Sequence, residues 1–371
     1  MFFTISATQD SRLPHHNQIG NYWFSHDSGW QQVENYWYKG YFHPEVDHGN
    51  FLKIKFEPNG CVELEHDSVR GFPLWWDPEK KILTNFLGIG QSIWADKKIS
   101  LVNHNICTHS AVSYDYDLSY DLTIDTAADL VCENLVKKAK ALQNWCPAVP
   151  KKLFLTGGMD TTVLYSVLKY AGVEVEIIDY EYIKYNWFLN NNWSNLKKQH
   201  WGYNQIHHWT DPTLLITGAC GDEYLFRSPN TVSMWSAWHD IDVISRLTPG
   251  GYHTDYFLKE TNASIFRQHW VDKDALKSQF PKTQDIATQI ININYNDYQH
   301  WHLGNTLTWT PFKDIDLLKI SLRLDQDSTI DHLVNASLTK KIITKLCPSA
   351  LGLLSDSKNV NSRQNLTKNR C

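Results

Sequence analysis

The stretch that decides the fold is residues 153–162, Leu-Phe-Leu-Thr-Gly-Gly-Met-Asp-Thr-Thr. Three apolar residues typical of a buried strand lead into two glycines, and the residues behind them favour the start of a helix, which we predict over 162–170. A second strand is predicted at 173–178, Val-Glu-Val-Glu-Ile-Ile. Strand, helix and strand in this order form a βαβ unit, whose strands are parallel.

A third apolar strand, 213–216, also runs directly into a glycine turn. We therefore predict an α/β fold built on a doubly wound parallel sheet. Residues 230–345 are predicted to be largely helical, so the fold has a helical C-terminal part. Ligands of such sheets bind at the carboxyl ends of the strands, which is where both glycine turns lie.

The chain before this region has a different pattern. Up to about residue 120 it consists of short apolar or alternating stretches, such as 51–56 and 62–65, separated by turn signals. A helix is predicted over 123–143, where apolar residues recur on one helical face. We expect two domains, a β-rich one over 1–120 and an α/β one over 121–371, because a single core rarely serves more than about 250 to 300 residues.

The composition excludes several classes of protein. Lys plus Arg total 35 against 40 for Asp plus Glu, so the formal charge is −5 and the basic excess of a nucleic-acid-binding protein is missing. No run of about 18 apolar residues occurs, and the N-terminus lacks the features of a signal peptide. We expect a cytoplasmic protein with no nucleic-acid or membrane partner. Seven cysteines without a CxxC pair predict neither disulfides nor a thiolate zinc site.

The first glycine turn carries the groups that a bound polyphosphate needs. Two glycines bring backbone N–H groups to an anion, and the helix N-terminus behind them adds partial positive charge. The carboxylate of Asp160 suits phosphates only if Mg²⁺ lies between them. The candidate ligands of ATP and pyrophosphate are Thr156, Gly157, Gly158, Asp160, Thr161 and Thr162. An ordinary strand-to-helix turn with capping residues explains this segment equally well, so the turn alone does not decide.

No Gly-Lys-Ser/Thr follows at the spacing of a Walker A loop. The turn instead resembles the Ser-Gly-Gly-x-Asp-Ser loop of the ATP pyrophosphatases, with threonine at the hydroxyl positions. The resemblance implies a fold like that of the adenine nucleotide alpha hydrolases, in which this loop binds the pyrophosphate part of ATP. It also implies cleavage between the α and β phosphates, with Mg²⁺ as the cofactor.

A second segment makes the resemblance more specific. Residues 217–226, Thr-Gly-Ala-Cys-Gly-Asp-Glu-Tyr-Leu-Phe, resemble the Ser-Gly-x-Gly-x-Asp-Glu-x-Phe segment of the asparagine synthetases. By this resemblance Asp222 joins Asp160 as a ligand of Mg²⁺. The other implied site residues are the catalytic Glu223 and the nucleotide-binding Gly218 and Gly221. Taken alone, the acidic pair is better explained as a helix start whose carboxylates favour the helix dipole.

Two further segments fit the same family. Residues 310–318 resemble its Pro-Phe-x-Asp-x-x-Leu segment, although Pro311 and Asp314 also suit a simple helix start. The family has a lysine near the C-terminus that neutralises the pyrophosphate. Lys358 lies at about the corresponding distance after Pro348, but the glycine that normally follows this lysine is absent.

The amino-terminal domain resembles the glutamine amidotransferase domain of the family, an Ntn-hydrolase-like fold whose nucleophile is a cysteine directly after the initiator methionine. Phe2 occupies that position and no cysteine precedes Cys61, so no glutaminase activity is expected, as in the β-lactam synthetases. Ala219 replaces the glutamate or tyrosine that handles the proton of the attacking amine, and a methyl group cannot accept a proton. Cys220 replaces the second glycine of the segment, and Trp309 replaces an arginine.

The resemblance implies an AMP- and pyrophosphate-forming amide ligase of the asparagine synthase type. Such an enzyme adenylates a small-molecule carboxylate for attack by ammonia or an amine. Two alternatives are open: a nucleotide-binding remnant without turnover, and a pyrophosphatase-type enzyme that modifies tRNA or a nucleobase. The sequence allows a homodimer and does not identify the acceptor carboxylate.

Overall fold

The structure, a computed structural model, describes residues 3–11, 13–27, 29–67, 74–85, 91–93, 98–108, 119–178, 213–226 and 306–354. Within these ranges the protein is a mixed α/β fold with two antiparallel sheets, one parallel sheet and several helices. The predicted α/β class is confirmed at this level. None of the helices in the described ranges is long and apolar enough to cross a membrane.

Two antiparallel sheets make up the amino-terminal half. The first contains β1 (Phe3–Ser6), β2 (His15–Ile19), β3 (Tyr22–His26), β8 (Leu74–Asp77), β9 (Ile82–Thr84) and β10 (Gln91–Ile93), in the order β10-β8-β9-β1-β3-β2. The second contains β4 (Gln31–Val33), β5 (Tyr36–His43), β6 (His48–Phe56), β7 (Cys61–His66), β11 (Lys98–Val102) and β12 (Asn105–Thr108), in the order β12-β11-β7-β6-β5-β4. Alternate residues of the strands in both sheets form one apolar core, which includes Phe24, Leu52 and Leu64.

A parallel sheet begins after the first long helix. It contains β13 (Lys151–Phe154), β14 (Glu176–Ile178), β15 (Thr213–Ile216) and β16 (Thr306–Trp309), in the order β14-β13-β15-β16. Successive residues of β13 pack into two separate apolar cores. Leu153 lies in the helical core, whereas Phe154 packs with Leu215 in a second cluster. Both faces of the sheet are therefore buried, as in parallel sheets generally. Of the stretch 230–345, predicted to be largely helical, residues 230–305 lie outside the described residues, and 306–345 contain this strand followed by three helices.

The helices are α1 (Ile124–Trp145), α2 (Met159–Ala171), the single turn α3 (Gly221–Tyr224), α4 (Ile315–Leu322), α5 (Gln326–Asn335) and α6 (Ser337–Leu346). Thr123 caps α1 by accepting a hydrogen bond from the Thr126 amide at 3.3 Å. Helices α1, α2 and α6 pack against one another and share a core that includes Leu135, Leu164 and Ile342. This core covers one face of the parallel sheet.

The two halves meet at Tyr41. Its ring belongs to β5 of the second antiparallel sheet, yet it is 1% exposed and lies in the helical core beside α1. Its hydroxyl accepts a hydrogen bond from the Thr310 amide at 3.4 Å, and its ring lies 5.9 Å from that of Trp145. The division into two domains at residue 120 stays a prediction.

Buried neutral histidines predict how stability depends on pH. His26 donates from Nδ1 to the backbone carbonyl of Asp27 at 2.7 Å and accepts at Nε2 from the side-chain amide of Asn17 at 2.9 Å. This pair of hydrogen bonds suits the neutral ring. Burial lowers the pKa of His26 from 6.5 to about 4. Burial, reinforced by the charge of Lys138, also lowers the pKa of His48 well below 6.5.

We expect the free energy of unfolding to be highest above pH 6.5 and to decrease as the pH falls from 6.5 towards 4, because only the unfolded chain takes up these protons in that range. Each histidine contributes at most about 1.4 kcal/mol per pH unit. Urea unfolding at a series of pH values measures this slope, and His26→Phe should flatten it. His16→Asn, a change to a partly buried histidine of the same sheet, is the control. A slope that His26→Phe leaves unchanged would contradict the prediction.

Candidate functional site

The candidate site lies where the strand order of the parallel sheet reverses. β13 has β14 on one side and β15 on the other, so the two strands that follow it in the chain lie on opposite sides of it. Crevices at such reversals, at the carboxyl ends of the strands, are the usual ligand sites of open α/β sheets. The turns after β13 and β15, residues 155–158 and 217–220, are therefore side by side at this end.

The first turn holds its shape through its own hydroxyls. Gly157 has a φ of 80°, which glycine adopts without steric cost, and α2 starts after Gly158. Thr156 Oγ1 accepts a hydrogen bond from the Gly158 amide at 3.1 Å and lies 3.1 Å from Thr161 Oγ1. The turn is thus ordered by contacts within residues 156–161.

Thr162 differs from Thr156 in its burial. Its side chain is fully buried, and its hydroxyl donates to the carbonyl of Gly158 at 2.8 Å within the first turn of α2. Thr156, by contrast, is only partly buried. The geometry gives Thr162 a structural contact in the helix, and a contact of its hydroxyl with a ligand stays a prediction.

The second turn carries the acidic residues on a single helical turn. Cys220 has a φ of 65°, a left-handed conformation that costs a non-glycine residue on the order of 1 kcal/mol. The chain then forms α3, in which Asp222 and Glu223 are both partly buried. The Thr217 amide donates to the carbonyl of Trp309 at 3.2 Å, so the start of the turn is fixed to the neighbouring strand β16.

The two turns are in direct contact. A Cβ atom on Gly221 would lie 2.5 Å from Cγ of Asp160, and one on Gly218 would lie 2.8 Å from the amide nitrogen of Thr161. Both distances are far below van der Waals contact, so only glycine fits at these positions. The structure therefore brings together the first turn with Asp160 and the second turn with Asp222.

Gly221→Ala is expected to destabilise the protein by about 1–3 kcal/mol, because the new methyl group overlaps the Asp160 carboxyl group and one of the turns must move. Urea unfolding measures the loss. Gly352→Ala is the matched control, since nothing lies within 4 Å of the Cβ position of Gly352. Equal stability of the two variants would show that the turns do not pack in this way.

Residues of the segment 310–318, which resembles the Pro-Phe-x-Asp-x-x-Leu segment, stabilise the structure around the site. Asp314 caps α4 by accepting a hydrogen bond from the Asp316 amide at 2.7 Å, as the helix-start interpretation predicts. The Asp314 carboxylate also pairs with Lys138 of α1, which donates in addition to the carbonyl of Pro311 at 3.0 Å. Trp309 is fully buried in the helical core.

Two contacts near the site were not predicted from the sequence. One is the ion pair of Lys138 with Asp314. The sequence feature that could have indicated it is a lysine on the apolar face of α1, between Leu135 and Leu142. The other joins His332 of α5 to the carbonyl of Leu225 at 2.6 Å, directly after the acidic turn. No sequence pattern indicates this second contact. Lys358, the predicted pyrophosphate ligand, lies outside the described residues.

The carboxylates fit Mg²⁺ only together with a polyphosphate. Within the described ranges no group of three His, Cys, Asp or Glu side chains could hold a metal ion. Mg²⁺ in nucleotide sites is bound by one or two carboxylates together with the phosphates. Asp160 and Asp222 lie on turns that touch, and their joint binding of Mg²⁺ stays a prediction.

A scan against models of known protein families and a search of the curated proteins each found no match to this chain. The function is therefore inferred from the residues and the geometry of the site.

Proposed function

We propose that the protein is an ATP-dependent ligase of the asparagine synthase type, which adenylates a carboxylate and transfers the acyl group to ammonia or an amine. The observation that carries the proposal is the packing of Asp160 against Gly221. It joins the two glycine turns into one site at the point where the strand order reverses. A phosphate-binding turn in contact with an acidic turn is the arrangement that Mg²⁺ and ATP require.

The finer features of the fold are part of this proposal. The parallel sheet is doubly wound in a ligase domain over 121–371, and the antiparallel sheets form a degenerate Ntn-hydrolase-like domain over 1–120. Burial on both faces of the parallel sheet supports the first feature. The left-handed Cys220, at a position where the asparagine synthetases have glycine, supports the alignment of the second turn with that family.

The shape of the first turn supports the proposed binding of ATP. The backbone amides of Gly157 and Gly158 and the hydroxyls of Thr156 and Thr161 bind the pyrophosphate part. The Gly158 amide and both hydroxyls hydrogen-bond within the turn, so they exchange these bonds for bonds to the phosphates when the nucleotide binds. Mg²⁺, which neutralises charge on the phosphates, would be held by Asp160 and Asp222. By the family resemblance, Lys358 neutralises the departing pyrophosphate.

The proposed reaction has two steps. An oxygen of the substrate carboxylate attacks the α phosphorus, the bond to the oxygen that bridges the α and β phosphates breaks, and pyrophosphate leaves. The nitrogen of ammonia or an amine then attacks the carbonyl carbon of the acyl adenylate, AMP leaves, and the nitrogen loses a proton. Ala219 cannot take this proton, and we assign a catalytic role to Glu223 in the same turn. The nitrogen comes from outside the chain because Phe2 replaces the glutaminase nucleophile.

A nucleotide-binding protein without turnover is the second candidate. Ala219 favours it, because this residue is 7% exposed and offers no group for proton transfer beside the acidic turn. The retained Asp160 and Asp222 favour the ligase, since a protein that binds only the nucleotide base and ribose has no use for two carboxylates at its phosphate turn.

The test is the identity of the products from ATP labelled at the α phosphate. The purified protein is incubated with Mg²⁺, a panel of carboxylates and ammonium, and a parallel sample contains EDTA. AMP and pyrophosphate that form only with Mg²⁺ and a carboxylate would establish adenylation. ADP and phosphate would refute the proposed mechanism, and ATP binding without any product would favour the second candidate.

A further inference from the structure

His332 is a buried histidine that the proposed reaction does not use. It lies in α5, is 0% exposed, and both ring nitrogens have backbone partners. The Leu338 amide donates to Nδ1 at 3.3 Å, so this nitrogen carries no proton. The proton is on Nε2, which donates to the carbonyl of Leu225 at 2.6 Å. The two bonds together fix one neutral tautomer of the ring.

The carbonyl that accepts this bond belongs to the acidic turn. Leu225 directly follows α3, and its amide donates to the carbonyl of Gly221 at 3.0 Å. A helix of one turn has no stability of its own, because nucleation fixes several residues for a single hydrogen bond. Its position is set by its attachments. Gly221 is held at the first end by its packing against Asp160, and Leu225 is held at the second end by His332.

The attachment also joins distant parts of the chain. His332 is 107 residues from Leu225 in sequence, and its Nδ1 bond lies at the junction of α5 and α6, where Ala336 has a left-handed φ of 55°. Phe226, directly after the anchored carbonyl, has a left-handed φ of 58°. The imidazole is therefore a rigid connection between the carboxy-terminal helices and the turn that carries Asp222.

We propose that His332 is a positioning residue for the acidic turn. In its neutral form it fixes the carbonyl of Leu225 and thereby sets where the Asp222 carboxylate meets Mg²⁺ and where the Glu223 carboxylate meets the attacking nitrogen. The inference rests on the proposed function for the identity of the ligand. The link between His332 and the turn rests on the two hydrogen bonds alone.

Two substitutions separate the two bonds. The amide nitrogen of His332→Gln occupies nearly the place of Nε2 and can donate to Leu225. The amide oxygen of His332→Asn occupies nearly the place of Nδ1 and keeps the bond from Leu338, but the side chain is too short to reach Leu225. The Asn variant thus preserves the contact between helices and removes the contact with the turn.

The experiment combines hydrogen exchange at the amides of residues 221–226 with the dissociation constant of α,β-methylene ATP in the presence of Mg²⁺. We expect the Asn variant to exchange faster at these amides and to bind the analogue about tenfold more weakly, the effect of one hydrogen bond to the turn. The Gln variant should stay within about threefold of the wild type in both measurements.

Each result decides a different point. Unchanged exchange in the Asn variant would overturn the link to the turn. Faster exchange with unchanged affinity would overturn the positioning role. Equal losses in the Gln and Asn variants would also overturn it, because they would indicate a general role in packing. A wild-type protein that does not bind the analogue at all would overturn the positioning role together with the proposed function, even if the exchange data confirm the hydrogen bond.

Discussion

Asp160→Asn is expected to lower the rate of pyrophosphate formation at least about 1000-fold, which corresponds to about 4 kcal/mol of transition-state stabilisation. The amide has nearly the shape of the carboxylate, so it still packs against Gly221 and the turns keep their contact. The substitution removes the negative charge, which binds Mg²⁺ in the proposed function. The free energy of unfolding should therefore change by less than about 1 kcal/mol.

Product formation from α-labelled ATP, measured at saturating Mg²⁺, tests this expectation. Asp316→Asn is the matched control, because Asp316 is exposed in the first turn of α4 and lies outside both glycine turns. We expect this control to retain the wild-type rate. A rate above about one tenth of the wild-type value in Asp160→Asn would show that Asp160 does not bind an essential Mg²⁺.

Lys138→Met is expected to reduce the free energy of unfolding by about 3–5 kcal/mol, because it leaves the Asp314 carboxylate largely buried without its cation. The Lys138 side chain is 1% exposed and that of Asp314 is 13% exposed. Burial lowers the pKa of Lys138, and the carboxylate of Asp314 opposes this effect. Although burial alone would raise the pKa of Asp314, the Lys138 ammonium holds it below its usual value.

Urea unfolding of three proteins separates the causes. Lys345, in α6, forms an exposed ion pair with Asp129 of α1, the helix that also carries Lys138. Lys345→Met removes this pair and should reduce the free energy of unfolding by less than about 1 kcal/mol. The double variant Lys138→Met with Asp314→Asn should recover part of the loss, since the amide keeps the cap of α4 without a buried charge. A Lys138→Met protein as stable as the wild type would show that this ion pair contributes nothing.

Long patterns in the sequence predicted their elements well. The periodic stretch 123–143 corresponds to α1, which spans Ile124–Trp145, and the alternating stretches 51–56 and 62–65 lie within β6 and β7. β16 was missed because it has only four residues, Thr-Leu-Thr-Trp, and their alternation is too short to distinguish a strand from its surroundings.

The site was predictable only in part. Chain order places each glycine turn at the carboxyl end of a strand, but the contact of Asp160 with Gly221 depends on β13 and β15 being neighbours, which no local pattern specifies. The sequence around Asp314 fits both a family motif and the cap of a helix, and the structure confirms the cap. Its partner Lys138 is 176 residues away, so the pair follows from tertiary packing alone.

The position of Tyr41 has a consequence for any attempt to divide the chain. A fragment that begins at residue 119 would lack this ring, and the surface of α1 that packs on it would face water. The Thr310 amide, at the end of β16, would lose its acceptor as well. Expressed alone, such a fragment should be less stable and prone to aggregate through the uncovered apolar surface. The amino-terminal half therefore contributes directly to the core and the hydrogen bonding of the carboxy-terminal half.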